Sequence, residues 1–168
     1  LCRSNDAVID LAKALSARGL RVAVARAGLL DQPEAELVLA ALRWVADPSD
    51  TLALAEMARL TNDDEDWLDA AFGVNAAEAL MASLPFAQSL QDIRSRAYQL
   101  TPAEALDAAL HIEGLSTLIG RWGAFEQRLH NLEALRALAE TYQDEQRIDR
   151  QAATLTGLCQ WLAARTDA

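Results

Sequence analysis

Residues 31–50 read DQPEAELVLAALRWVADPSD, and this stretch predicts one complete helix. Asp31 has an acceptor side chain and Glu34 follows three residues later, which is the spacing of an N-terminal capping box. Apolar side chains then recur at intervals of three and four residues and would share one face of a helix; they are Leu37, Val38, Ala41, Leu42 and Val45. A face of this kind needs other elements to cover it, so the sequence favours a packed helical fold.

Helical signals continue along the rest of the chain. Because the residue before a proline is pushed out of the α region, Pro48 ends the first helix, and Ser49 or Asp50 can cap the second. Residues 101–104, TPAE, form a further capping box with proline at the first helical position. Other helices are expected at residues 67–72, between Asn75 and Pro85, at residues 125–142 and at residues 152–162. Residues 112–123 contain three glycines and are expected to form a looser joint.

The first thirty residues show a different pattern. Asn5 or Asp6 can cap an amphipathic helix that ends at Gly19, and residues 20–24 alternate as a short strand does. Such a strand needs a partner, as in a strand-helix-strand unit. The sequence therefore predicts a mainly α protein, an irregular bundle of six to ten helices with a small α/β remnant at the N-terminus.

The composition is that of a globular protein with an acidic charge. Of the 168 residues, 52% are apolar and 24% are charged, which suggests neither disorder nor a membrane protein. No apolar stretch approaches the roughly 20 residues that span a bilayer, so a cytoplasmic location without membrane contact is expected. The net charge of −10 argues against strong nucleic-acid binding by this chain alone, because basic residues supply most of that affinity.

The residues that usually carry catalysis or bind metals lack useful spacing. Neither GxxxxGK(S/T) nor GxGxxG is present, so ATP binding by this chain is not expected. His111 and His130 have no cysteine or second histidine at ligand spacing, which favours surface or core-edge positions. Cys2 and Cys159 are far apart and form no CxxC motif, which favours reduced thiols in an intracellular protein. We therefore expect no catalytic, metal-binding or cofactor-binding residue in this chain, and no small-molecule substrate.

Two acidic stretches have simple structural interpretations. Residues 63–66, DDED, resemble the acidic box of an ATPase, but that box follows an apolar strand and here the preceding residues are LTN. A helix N-terminus is favoured instead, because acidic side chains there interact favourably with the helix dipole. Asp144 and Glu145 are expected in a solvated turn between helices.

Two basic-aromatic clusters could contact single-stranded DNA. One contains Arg94 and Arg96 with Tyr98, and the other contains Arg121 with Trp122. The alternative for the tryptophans is burial, since three of them lie inside apolar patterns: Trp67, Trp122 and Trp161.

Several stretches resemble one protein family. Residues 1–5, LCRSN, followed by an amphipathic helix and a short strand, resemble the L-x-R-S/T-N segment of UvrD-like superfamily 1 DNA helicases. Residues 28–34 and 39–50 resemble that family's glycine and acidic turn, its next helix and the stop after it. Residues 128–135, RLHNLEAL, resemble the R-x-x-NL-x-x-L helix found in the insertions of AddA-like and RecB-like helicase-nucleases. The chain also begins at Leu1 without a methionine, so we expect an excised part of a longer protein.

The resemblance implies a division of the chain and a role for each part. Residues 1–30 would form a partial edge of the second RecA-like motor domain, and residues 31–168 a helical accessory insertion. Arg3 and Asn5 match the positions that face the single-strand track in that family, although a helix cap for Asn5 and a solvent-facing position for Arg3 explain them equally well. The parent protein would bind ATP, magnesium and DNA, and a nuclease or helicase subunit could be its partner. The alternative is an acidic helical protein-interaction module unrelated to nucleic acid.

Overall fold

The computed structural model describes residues 28–62 and 66–166, and within these ranges it is helical and contains no strand. The prediction of a mainly α fold is therefore confirmed, whereas the predicted α/β remnant lies outside the described residues. One 3-10 turn, Ala97–Gln99, joins two of the helices. The α-helices are α1 Pro33–Ala46, α2 Thr51–Thr61, α3 Asp66–Ala71, α4 Ala76–Ser83, α5 Ala87–Ser95, α6 Pro102–Leu110, α7 Leu115–Arg121, α8 Phe125–Ile148 and α9 Leu155–Thr166.

Helix α1 is the centre of the bundle. It packs against α2, α5, α6, α8 and α9, and it is therefore surrounded by helices from both halves of the chain. Its large apolar side chains, Leu37, Val38, Leu42 and Val45 among them, are buried. Burial of each such side chain contributes about 1.5–3 kcal/mol, so α1 supplies much of the apolar driving force of the fold.

Local capping signals position several helices as predicted. The Asp50 carboxylate accepts a hydrogen bond from the Ala53 amide at 2.8 Å, and α2 starts directly after it. The Thr101 hydroxyl accepts from the Glu104 amide, and the Glu104 carboxylate accepts from the Thr101 amide at 2.8 Å. This reciprocal capping box fixes the start of α6.

The capping box predicted at the start of α1 is wrong. Gln32 rather than Asp31 is the N-cap residue, and no side chain caps the helix there. Pro33 occupies the first turn, where its missing amide hydrogen costs nothing. The Glu34 side chain instead points into the protein and is fully buried.

Two further differences from prediction concern the second half of the chain. Residues 112–123, which were expected to form a loose joint, contain the short helix α7. This helix forms because Leu115, Leu118 and Ile119 bury one of its sides. Helix α8 continues past Asp144 and Glu145 to Ile148, so the turn predicted there is absent. These two carboxylates have partners on α8 and α9, as Arg147 pairs with Asp144 and the Trp161 indole donates to Glu145 at 2.7 Å.

Within residues 28–62 and 66–166, no helix is both long enough and apolar enough to cross a bilayer.

Candidate functional site

The residues predicted from the sequence to contact DNA lie in different environments. Arg3 and Asn5 lie outside the described residues, so their predicted role stays a prediction. The Arg94 guanidinium donates to the Val45 carbonyl oxygen at 2.6 Å, and it thereby satisfies the C-terminal end of α1. Arg96 and Tyr98 are exposed.

A buried polar cluster joins the start of α1 to α8. The Glu34 side chain has 0% exposure, one of its oxygens pairs with Arg128, and the other accepts from the Asn131 amide nitrogen at 2.6 Å. Both carboxylate oxygens therefore have a partner, as a buried charge requires. Arg128 and Asn131 lie three residues apart, so they share the face of α8 that meets Glu34. We call these three residues the Glu34 cluster.

Arg128 also organises the turn before α8. It donates to the Gly123 carbonyl oxygen at 2.8 Å and to the Trp122 carbonyl oxygen at 3.2 Å. Its guanidinium carbon lies 5.6 Å from the centroid of the Trp122 ring, within the range of a cation–π contact. The Trp122 ring, one of the predicted DNA-contacting aromatics, is thus half-buried beneath an arginine of its own chain.

Two surface grooves accompany this core. The first, called here the α1–α9 groove, has a volume of about 420 Å³ and is lined by α1, α2 and α9. Its basic groups are already paired with carboxylates: Arg43 contacts Asp50 at 3.0 Å and Glu56 at 2.9 Å, and Arg59 contacts Glu36 at 2.9 Å. The groove therefore has little spare positive charge.

Cys159 lies in the wall of the α1–α9 groove and is half-buried. Burial raises the pKa of its thiol to about 11. Because the thiolate is the nucleophilic form, this cysteine is a poor nucleophile at neutral pH.

The second groove, called here the Tyr98 groove, has a volume of about 520 Å³. One wall is formed by the 3-10 turn and the start of α6, and the other by the end of α8 and residues 151–153. Tyr98 is 82% exposed, and Gln99 donates to its hydroxyl at 2.7 Å. Arg147 lines the groove from α8 and contacts Asp144 at 3.0 Å. The structure thus places Tyr98 with Arg147, a combination that the sequence did not suggest.

The remaining candidates occupy ordinary structural positions. His111 and His130 are exposed, and Nδ1 of each lies 2.7 Å from a carbonyl oxygen four residues earlier, that of Asp107 and that of Glu126. Trp67 and Trp161 pack half-buried at the edge of the core. Among residues 28–62 and 66–166, no three His, Cys, Asp or Glu residues are arranged to hold a metal ion.

The geometry therefore offers two surface grooves and a buried polar cluster. Comparison of the chain with protein-family models, with curated proteins and with solved structures found no match.

Proposed function

We propose that this chain is the helical accessory insertion of a UvrD-like DNA helicase or helicase-nuclease that acts in DNA repair or recombination. In this role it is a non-catalytic subdomain that contacts DNA or a partner protein and regulates unwinding. The parent protein would bind ATP and magnesium with residues outside this chain, whose sequence carries no phosphate loop.

The observation that carries the proposal is the Glu34 cluster. Two of the stretches that resemble the helicase family, residues 28–34 and 128–135, are separated by more than ninety positions, and they meet at this cluster. Glu34 comes from the first stretch, whereas Arg128 and Asn131 are the arginine and asparagine of the R-x-x-NL-x-x-L pattern in the second. This contact supports the proposal that the two stretches belong to one accessory insertion.

The chemistry of the cluster gives a reason for the spacing of that pattern. A buried carboxylate needs a charge partner and a second hydrogen-bond donor, because its removal from water is otherwise costly. An arginine and an asparagine three residues apart on one helix supply both. Leu132 and Leu135, the apolar positions of the same pattern, are buried in the core.

The coding sequence on both sides of this segment provides the first test. We expect a phosphate loop and an acidic box upstream of Leu1, and the remaining motor motifs downstream of Ala168. An open reading frame that starts near Leu1 and stops near Ala168 would contradict the proposal.

A biochemical test uses the purified chain and the full-length protein side by side. The chain alone should hydrolyse no ATP with or without DNA, whereas the full-length protein should show DNA-stimulated ATP hydrolysis. Replacement of the whole helical segment 31–168 by a short flexible linker should alter strand unwinding more than ATP hydrolysis, because the segment holds none of the ATP-binding motifs. ATP turnover by the chain alone would refute the assignment.

A second candidate function is an acidic protein-interaction module unrelated to nucleic acid. The net charge of −10 and the carboxylates that line the α1–α9 groove favour it. The two functions are separated by the same gene-context test, since an interaction module needs no neighbouring phosphate loop.

A further inference from the structure

The Tyr98 groove brings together the groups that bind unpaired nucleotides. We propose that it binds single-stranded nucleic acid, with a base stacked on Tyr98 and an adjacent phosphate paired with Arg147. The sequence grouped Tyr98 with Arg94 and Arg96, whereas in the structure Arg147, which is far away along the chain, lines the same groove as Tyr98.

Tyr98 has the exposure of a binding residue. Its side chain is 82% exposed, so it contributes little to the core, and the Gln99 amide holds its hydroxyl at 2.7 Å. An exposed aromatic ring next to a groove is a stacking platform for a base, and such stacking works with any base because every base has a π face. Bases in a duplex are already stacked, so the ligand must be single-stranded.

Arg147 supplies the charge on the other wall of the groove. Its guanidinium contacts Asp144 at 3.0 Å, and the two side chains are 80% and 64% exposed. Exposed ion pairs of this kind are weak, so a phosphate oxygen can replace Asp144 at small cost. Two further exposed arginines are next to groove elements in sequence. Arg96 directly precedes the turn that carries Tyr98, and Arg150 directly precedes Gln151 of the groove.

The walls of the groove are held in place by contacts between elements. The Gln143 side-chain oxygen accepts from the Ala103 amide at 3.0 Å, which joins α8 to the first turn of α6. The capping box of Thr101 fixes the same turn. A stacked base would therefore meet a wall that is already in position, which lowers the ordering cost of binding.

The other basic and aromatic groups fit such a ligand less well. Arg43 and Arg59 are paired with carboxylates in a groove whose lining contains no aromatic residue. The Trp122 ring is stacked with Arg128. The Tyr98 groove, by contrast, is lined by an exposed ring and by an arginine whose ion pair is exposed and exchangeable.

The test measures the affinity of the chain for fluorescently labelled oligothymidylate and oligouridylate, each about twelve nucleotides long. Binding is followed by fluorescence anisotropy at low ionic strength. Tyr98→Ala should weaken binding about tenfold or more, and Tyr98→Phe should bind like the unchanged protein because the ring remains. Arg147→Ala should weaken binding severalfold, whereas Arg59→Ala, which changes the net charge equally, should not. Asp144→Asn should strengthen binding, because it releases Arg147 from its carboxylate. Thermal unfolding of each variant checks that the fold is intact.

A photocrosslink locates the contact independently of affinity. An oligonucleotide that carries 5-iodouracil should crosslink to Tyr98, and Tyr98→Ala should abolish this product. Binding of either oligonucleotide at Tyr98 supports the proposal, and the stronger one identifies whether DNA or RNA is preferred. Absence of binding, equal binding of duplex DNA, or unchanged affinity of Tyr98→Ala would overturn it. Any of these failures would leave the accessory-insertion proposal standing, since that proposal depends on the Glu34 cluster and the gene context.

Discussion

The buried carboxylate of Glu34 allows a quantitative test of how this fold is held together. Glu34→Gln keeps the shape of the side chain but removes its charge, and Arg128, only 16% exposed, then loses its ion partner. Removal of one member of a buried ion pair costs about 3–5 kcal/mol. Arg128 keeps its hydrogen bonds to the Trp122 and Gly123 carbonyl oxygens, so we expect a loss of about 2–3 kcal/mol in unfolding free energy.

A matched control lies on the same helix. Glu36 pairs with Arg59 at 2.9 Å, but the two side chains are 37% and 51% exposed. Glu36→Gln makes the same chemical change in a solvent-exposed ion pair, and such a pair contributes at most about 1 kcal/mol to stability. The difference between the two substitutions therefore measures the effect of burial rather than of charge.

Urea unfolding followed by far-UV circular dichroism gives the free energies. Arg128→Met and the double variant complete a thermodynamic cycle, and we expect Glu34 and Arg128 to be coupled by about 1–3 kcal/mol. A loss for Glu34→Gln no larger than that for Glu36→Gln, or a coupling near zero, would refute the reasoning that this cluster fixes α8 on α1.

Three further predictions follow from single contacts. Thr101→Ala should cost about 1 kcal/mol in urea unfolding, because α6 loses its side-chain cap. Hydrogen bonds from Thr101 also lower the pKa of Glu104, so this contact stabilises the fold above the ordinary pKa of a glutamate and ceases to do so as pH falls through the lowered value. Gly157→Ala should lower the melting temperature despite better helix propensity, because the new methyl would lie 2.3 Å from the Tyr142 hydroxyl. Alkylation of Cys159 by iodoacetamide should be slow at neutral pH and accelerate towards pH 11, as measured by mass spectrometry.

The features that sequence predicted correctly depend on near neighbours. Asp50 caps α2 and Thr101 caps α6 with partners three residues away, so the sequence contains the complete interaction. The proline at position 48 ends α1 by steric conflict with the residue before it, which is also local. Most helices in the described ranges could be predicted from such local signals together with the spacing of apolar residues.

The features that sequence missed depend on distant partners. Glu34 has the spacing of a capping residue, but its side chain is oriented by burial beside Arg128 and Asn131. These two residues are more than ninety positions away along the chain. Glu145 resembles part of a turn until Trp161 on the next helix is seen to donate to it. Tyr98 was predicted as a possible contact for single-stranded DNA, but its pairing with Arg147 in one groove was missed for the same reason, since the two residues come from different elements.

An acidic chain can still bear a nucleic-acid site, because repulsion and binding act over different distances. Repulsion between phosphates and the net charge of −10 is screened beyond a Debye length, about 8 Å at physiological salt. Stacking on Tyr98 acts at contact distance and is not an ionic interaction, so it persists when salt screens the acidic surface. As the salt concentration rises, the affinity for nucleic acid should fall far less steeply at a site with one stacked base and one phosphate contact than at a patch that neutralises many phosphates. A shallow salt dependence would therefore distinguish the Tyr98 groove from nonspecific attraction to any of the exposed arginines.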